Sequence, residues 1–191
     1  MKLLIDILQG IGLAAAAGLR PFLPTLVAGA FATADVGVDY DGTAFSFLES
    51  PVFLLVVAVV MVVSFVLRSR LETPAAMAAL QGISIGLGAL LFAATLDDRN
   101  AVWWPGLIAG LLIAALASTA VRDLFRRVRG RLDHEAAAAL PIYAEGIAVA
   151  VAALSILLPP LSLVAIGFLV WLLVGGRRRE GEKYAGLRIL R

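Results

Sequence analysis

Long apolar segments, separated by short charged connections, are the feature that most constrains how this chain folds. A membrane-crossing helix needs about 17 to 25 mostly apolar residues, because the hydrocarbon is roughly 30 Å thick and each residue adds about 1.5 Å. The chain is 61% hydrophobic and 16% charged over 191 residues, which is far more apolar than a soluble domain. The apolar segments are 3–32, 51–67, 74–96, 103–121 and 136–174. This pattern predicts an all-α integral membrane protein.

The first and last apolar segments are longer than one simple span and are interrupted. The last is broken by Pro159 and Pro160, which supply a turn between two helices. The first contains Arg20, Pro21 and Pro24, and fits either one kinked span or a span followed by a half-helix. We therefore predict a polytopic transmembrane helix bundle of about six spans, with proline-broken helices in the first and last segments.

Charges in the connections predict the orientation, because Lys and Arg in short loops favour the cytoplasmic side. Residues 122–135 carry five arginines, whereas residues 33–50 carry four acidic residues and no Lys or Arg. We predict a transmembrane domain over 1–176 and a basic cytoplasmic tail over 177–191, with both termini in the cytoplasm. The tail could also attract anionic lipid. The basic residues lack interleaved aromatics, so they do not indicate nucleic-acid binding.

Three similar phrases raise the prospect of an internal repeat. They are "QGIGLAAAAGL" from Gln9, "QGISIGLGALL" from Gln81 and "EGIAVAVAALS" from Glu145. If they mark three parallel two-helix units, these three polar residues lie at similar depth around an axis along the membrane normal. Small apolar residues also match one another easily in any membrane helix, so a chance similarity is the alternative.

Glu145 is the strongest candidate for a functional residue. An ionisable side chain inside a span costs about 2.5 to 3.5 kcal/mol at the bilayer centre, and such side chains usually face a protein interior or water. It could form a proton or cation site with Gln9, Gln81 and Tyr143 as neutral partners. Alternatively, it lies near the cytoplasmic interface, where it is hydrated or paired with an arginine of 122–131.

Arg20 has two interpretations. It lies roughly 26 Å along a helix that starts at Leu3, so its side chain could extend to the outer headgroups. In the other interpretation, Pro21 opens a half-helix whose free N–H groups lie beside the guanidinium, and together they bind an anion. Phosphate, carboxylate and a lipid headgroup all fit this second interpretation.

Pairs of glycines at a spacing of four residues predict close helix packing. Gly82 and Gly86 form one pair, and Gly106 and Gly110 form another. Small residues let helix backbones approach in a membrane, where no hydrophobic force drives helices together.

Residue types needed for common enzyme chemistry are scarce in this chain. It has no cysteine and one histidine, and it lacks a phosphate-binding loop, a zinc-protease motif and a nucleophile elbow. We therefore expect no metal site, no cofactor and no enzymatic activity.

The phrases "GLAAAAGLRPFLP", "PIYAEG" and "ILLPPLS", together with the basic tail, resemble a bacterial family of membrane proteins, domain of unknown function 4126. The resemblance spans nearly the whole chain. It implies a bacterial inner-membrane protein and brings no established activity with it.

Three functions follow from these features. The first is a small transporter or channel for an ion or small anionic solute, since broken helices at membrane depth are tolerated where they line cavities. The second is a non-catalytic membrane scaffold or lipid-interacting protein, and the third is an enzyme that acts on a lipid phosphate through Arg20. A chain of this size has little room for a private pathway, so we expect a homo-oligomer.

Overall fold

The computed structural model of the chain describes residues 2–67, 73–98, 101–129 and 134–185, and all regular secondary structure among them is helical. A short 3₁₀ helix, Ser46–Glu49, precedes the third α-helix. The α-helices are α1 Lys2–Leu19, α2 Phe22–Thr33, α3 Pro51–Val66, α4 Pro74–Asp97, α5 Trp104–Arg129, α6 His134–Leu157 and α7 Leu161–Ala185. The predicted all-α bundle is confirmed.

Proline and hydroxyl residues define where two of the helices begin. The side chain of Ser50 accepts a hydrogen bond from the backbone N–H of Phe53, and Pro51 occupies the first helical position of α3. Thr73 accepts from the backbone N–H of Ala76 in the same way at the start of α4. These caps satisfy N–H groups that have no partner within the helix.

Within the described ranges, three helices are long and apolar enough to cross a membrane: 74–97, 104–128 and 139–157. Four shorter apolar helices accompany them, at Leu3–Leu19, Phe22–Thr33, Pro51–Val66 and Leu161–Gly175. Along α3 most side chains are exposed and apolar, and only Val57 is buried. These properties are those of a helical membrane protein.

The first helix, α1, lies at the centre of the bundle. It packs against α4, α5, α6 and α7, and residues 13–17 are completely buried. Glycines on α1 bring the neighbours close: a Cβ added to Gly10 would collide with the ring of Phe92, and one added to Gly12 would collide with Ser155. Small residues thus allow four helices to pack around one.

α1 runs antiparallel to α4. The hydroxyl of Ser84 donates to the backbone oxygen of Ala17 over 2.6 Å, whereas Gly88, one turn later on α4, lies against Ala14. The contact of Gly10 with α4 comes another turn along. As residue numbers fall along α1, they rise along α4.

α1 also runs antiparallel to α6. The side chain of Gln9 donates to the backbone oxygen of Ile156, near the end of α6, whereas Arg20 lies beside Glu145 in its first half. Gln9 is therefore at the opposite end of the bundle from Glu145. The predicted arrangement of Gln9, Gln81 and Glu145 at one depth on three parallel helices is wrong on this point.

The reason is that the first apolar segment folds back on itself. It forms the hairpin α1–α2, which turns at Arg20 and Pro21, and Gly37 just beyond α2 returns to accept a hydrogen bond from Gln9. The sequence left open whether this segment is one kinked span or a span plus a half-helix. In the structure, α2 returns along the bundle toward the start of α1.

This extra helix changes the relation between the first and last helices. Arg127 of α5 donates to the backbone oxygen of Leu172, and Ser162 at the start of α7 lies near Gly12, so α7 runs parallel to α1 and α5. The start of α1 and the end of α7 consequently lie at opposite ends of the bundle. The sequence prediction places both on one side.

The last helix crosses the predicted boundary at 176/177, since α7 continues to Ala185. Side chains of 176–185, and all of 186–191, lie outside the described part of the chain. The proposed lipid contacts of the basic tail therefore fall outside it too.

Glycines bring α4 and α5 together, but only some of the glycines predicted from the four-residue spacing do so. A Cβ added to Gly110 would lie 2.8 Å from the backbone oxygen of Gly88, and one added to Gly106 would also meet α4. Cβ atoms added to Gly82 and Gly86 would meet no atom of the described residues within 4 Å. The close approach uses Gly88 on α4, whereas the predicted pair faces outward.

Candidate functional site

An ion pair between α1 and α6 is the central feature of one end of the bundle. The Nε atom of Arg20 lies 3.6 Å from Oε1 of Glu145, and the two side chains are 27% and 35% exposed. The sequence offered each residue as a separate candidate on opposite sides of the membrane. The structure brings them together.

The turn between α1 and α2 positions Arg20. Pro21 has no N–H and disfavours helical geometry in the residue before it, so α1 ends at Leu19. The φ of −71° at Pro21 suits the start of a helix, and the hydroxyl of Thr25 donates back to the backbone oxygen of Pro21 over 2.7 Å. The arginine is thus held at a fixed break between two helices.

An aromatic ring from α5 also contacts the arginine. The guanidinium carbon of Arg20 lies 5.8 Å from the ring centroid of Phe125. A cation over an aromatic face is stabilised by about 0.5 to 2 kcal/mol, depending on how far it is desolvated. Arg20 therefore has favourable contacts with both a carboxylate and a ring.

The hairpin turn lies inside the length of the bundle. Glu145 is eleven residues beyond His134, the first residue of α6, so α6 projects roughly 16 Å past the ion pair at about 1.5 Å per residue. α4 extends about 15 Å beyond the level of Ala17, because Ser84 is level with Ala17 and lies ten residues after Pro74. The ends of α4 and α6 thus project past the hairpin turn.

Arginines cluster at this end of the bundle, which we call the basic end. They are Arg20, Arg122, Arg126 and Arg127. Arg126 pairs with Asp123 at 3.1 Å, one turn away on α5, in a largely exposed contact. Arg127 donates to the backbone oxygens of Asp123 and Leu172. The potential at this end favours anions.

The other predicted polar residues are divided between the two ends. Gln81 lies at the basic end, where its amide donates to the hydroxyl of Ser118 over a long 3.4 Å. Tyr143 is 70% exposed and lies on the outer surface of α6. Gln9 is buried at the far end, where it donates to Gly37 over 2.9 Å.

The far end is closed by residues 34–50, which we call the plug. Apolar side chains of the plug are buried in one cluster with α1, α2, α4 and α6; they are Val38, Tyr40, Phe45 and Leu48. The ring of Phe45 packs edge-on against Trp103, and the N–H of Ala44 donates to the carboxylate of Asp97 over 2.8 Å. Sequence reasoning treated this stretch only as an acidic loop, although its spaced apolar residues were the available signal.

Asp6 was also not among the candidates predicted from the sequence. It lies on α1 one turn before Gln9 and is only 2% exposed. A buried carboxylate of this kind is costly unless it is compensated. Its position within the first apolar segment was the available signal.

Carboxylates on the plug lie close together. One ligand atom each from Asp39, Asp41 and Glu49 can be placed within 4.8 Å of the others, which is the one such grouping among the described residues. Partial burial, followed by a hydrogen bond with Asp41, raises the pKa of Glu49 above its ordinary range. Three surface carboxylates do not define a metal centre, because hard cations take six or more oxygen ligands.

Tyr40 is the most deeply buried polar residue of the plug. Its hydroxyl has no hydrogen-bond partner within the described ranges. Burial, followed by the nearby carboxylates of Asp98 and Glu49, raises the pKa of the phenol far above its usual range. The phenol therefore stays neutral.

The fold and this site define a helical membrane protein with an ion pair inside the bundle at one end. The chain belongs to the family described as Domain of unknown function (DUF4126), whose family model matches residues 7–179. The membership that the sequence motifs predicted is thus confirmed. No curated protein and no solved structure matches the chain.

Proposed function

We propose that this protein is a small membrane transporter for anionic solutes and that Arg20 is the residue that binds the anion. The observation that supports this is the Arg20–Glu145 pair, 3.6 Å apart at the break between α1 and α2. Charged residues inside helical membrane bundles commonly mark substrate or ion pathways. Broken helices of this kind are tolerated where they line a cavity.

The chemistry of the pair suits exchange between two anions. A guanidinium presents a planar set of N–H donors that matches a carboxylate or a phosphate. Glu145 lies 3.6 Å from Nε of Arg20 and offsets its charge when no solute is bound, so an incoming anion competes with it. Protonation of Glu145 weakens this competition, so anion binding and proton uptake are coupled.

The charge of the basic end supports the same proposal. Arg122, Arg126 and Arg127 lie at the same end as the pair and raise the local concentration of anions there. Screening by salt weakens this attraction, since exposed charges lose influence beyond roughly 8 Å at physiological ionic strength.

We infer the setting of the protein from the same charges. The arginine-rich basic end faces the cytoplasm of a bacterial inner membrane, following the excess of Lys and Arg on that side. The start of α1 then faces outward. The open glycines of α4, Gly82 and Gly86, offer a close-packing surface to a second copy.

A second candidate is a non-catalytic scaffold or lipid-interacting protein. It is favoured by the solid middle of the bundle, where residues 13–17 of α1 have no exposed surface. Such a protein needs no pathway, and Arg20 would then bind a lipid headgroup at the basic end. The two candidates differ in whether solute crosses the membrane.

The deciding experiment is uptake into liposomes that contain the full chain. Radiolabelled inorganic phosphate and succinate represent the two oxyanion classes, and uptake is measured with and without an inward proton gradient. Arg20→Gln should abolish uptake, because the remaining amide cannot replace the charged fork. Glu145→Gln should retain uptake but lose its dependence on the proton gradient.

Arg126→Gln is the matched control, because it removes an arginine of an exposed pair at the same end. It should lower uptake by no more than about twofold, in keeping with the small effects of exposed pairs. Wild-type uptake equal to that of protein-free liposomes, or full uptake by Arg20→Gln, would reject transport through this site. The scaffold would then be favoured.

A further inference from the structure

The plug, residues 34–50, is attached to the helices in an unusual way. Its apolar side chains are buried as deeply as those of the helices, with Tyr40 and Leu48 almost fully enclosed. It nevertheless lacks regular structure apart from the 3₁₀ helix Ser46–Glu49. It therefore fills the far end of the bundle without belonging to any of the α-helices.

Side-chain hydrogen bonds from the helices hold the plug in place, including one from the hydroxyl of Thr33 on α2. The amide of Gln9 donates both to Gly37 of the plug, over 2.9 Å, and to Ile156 of α6, over 3.1 Å. The carboxylate of Asp97 on α4 accepts from Ala44. Gln9 is the buried member of this set, and it links the plug to two helices at once.

One feature opposes the docked position. The hydroxyl of Tyr40 is buried without a hydrogen-bond partner in the described ranges, which costs free energy that water would restore on undocking. A docked state with such a cost is suited to opening locally while the helices stay packed.

The first half of the plug contains three residues with left-handed backbone angles, at which it can bend. Asp35, Gly37 and Gly42 have positive φ values of 54°, 78° and 72°. A side chain added at Gly37 would collide with Ile156, so glycine permits the close approach at the Gln9 contact. Changes of backbone angle at a few such positions can move a loop as a unit.

We propose that residues 34–50 are a displaceable plug that closes the bundle at the end opposite the Arg20–Glu145 pair, and that Gln9 is its latch. In the transporter proposed above, on which this role rests, the plug is the gate on the second side. Breaking the two hydrogen bonds of Gln9 releases the plug without separating the helices.

The test uses the natural absence of cysteine from the chain. A single cysteine is introduced by Val38→Cys in the buried part of the plug, and its reaction rate with a water-soluble maleimide is measured in the full chain. The added change Gln9→Leu should raise that rate at least about tenfold, because it removes both donated hydrogen bonds at similar side-chain volume. Gln81→Leu, the matched change at the basic end, should leave the rate unaltered.

A second reporter separates plug movement from general unfolding. Ala28→Cys lies in α2 and is completely buried. It should stay protected when Gln9→Leu exposes position 38. Equal rates at position 38 with and without Gln9→Leu would overturn the latch, and equal acceleration at both reporters would overturn independent movement of the plug.

If Gln9→Leu does not yield folded protein, Asp97→Ala replaces it in the labelling experiment, because it removes the exposed contact of the plug with α4.

A disulfide between cysteines placed by Ala44→Cys and Asp97→Cys then tests the gate. Oxidation should stop uptake into liposomes, and a reductant should restore it. Absent uptake in the wild type rejects the transport function while labelling still decides the plug, whereas uptake through the oxidised protein rejects the gate.

Discussion

The two ends of the bundle are built by opposite means. The basic end holds a partly exposed ion pair, whereas the far end is closed by apolar side chains of the plug around the buried amide of Gln9. Charge organises the first, and packing organises the second. One helix serves both ends, because α1 carries Gln9 near its start and is followed directly by Arg20 at its other terminus.

The packed middle of the bundle separates these two ends. Disrupting its packing should cause the largest loss of stability. A Cβ added to Gly88 would lie 2.6 Å from the Cβ of Ala114, so Gly88→Leu should separate α4 from α1 and α5. Overpacking of this kind costs about 1 to 3 kcal/mol or more. The thermal unfolding midpoint of the purified protein in detergent measures it.

Gly167→Leu on α7 is the control, because a side chain there meets open space in the described ranges. It should unfold within about 2 °C of the wild type, as surface substitutions usually change stability by under about 0.5 kcal/mol. Equal destabilisation by both leucines would contradict the assignment of Gly88 to the helix contact.

The ion pair at the basic end should contribute more to stability than an exposed pair does. Arg20→Gln leaves Glu145 half-buried without its cation, and we expect a loss of about 1 to 2 kcal/mol, between the values for exposed and buried pairs. Arg126→Gln, which removes a largely exposed pair, should cost less than about 0.5 kcal/mol. Denaturation of the two variants side by side checks this, and equal losses would remove the distinction between the two pairs.

The plug should become more stable when its buried hydroxyl is removed. Tyr40→Phe keeps the ring and deletes a hydroxyl that has no partner in the described ranges, so the variant should be up to about 1 kcal/mol more stable. Maleimide labelling of Val38→Cys should slow accordingly. Tyr143→Phe, on the exposed surface of α6, should change neither quantity, and a destabilised Tyr40→Phe would show that the hydroxyl is bonded after all.

The smallest expected effect is a pH dependence of the plug. Because burial raises the pKa of Glu49 above 4.5, docking favours its neutral form. The contribution of Glu49 to docking is therefore complete below pH 4.5 and is lost as pH rises through the raised pKa. The groups that act on it are Asp39, Asp41 and the backbone N–H of Tyr40.

Labelling of Val38→Cys across this pH range, corrected for the thiolate fraction with a free-thiol standard, measures the effect. Acceleration should be about twofold or less, because Glu49 is only partly buried. Glu49→Gln, which stays neutral, should abolish the dependence. Persistence of the full dependence in Glu49→Gln would assign it to another group.

Much of the fold could be predicted because it depends on local composition. Long apolar runs require helices in a membrane, since backbone polar groups must be satisfied within each segment. The breaks at Pro21 and at Pro159–Pro160 follow from the missing N–H of proline. The candidates Arg20 and Glu145 stood out because ionisable residues are rare in apolar runs.

The relation between those candidates could not be predicted. Span counting assumes segments near 20 residues, and the helices Leu3–Leu19 and Phe22–Thr33 are shorter than that. Their antiparallel arrangement was therefore not predicted, and the predicted directions for Gln9 and Arg20 were wrong for that reason. The charges of the connections could not reveal the hairpin, because its turn carries a single charged residue, Arg20.

Local sequence is enough to show that the chain is helical and suited to a membrane, where its helices break, and which residues are chemically exceptional. Long-range packing places α1 at the centre, brings Arg20 to Glu145, and closes the far end with an acidic loop. The first set depends on the residues of one segment and their solvent. The second depends on contacts between residues far apart in sequence, which small side chains permit and no local pattern specifies.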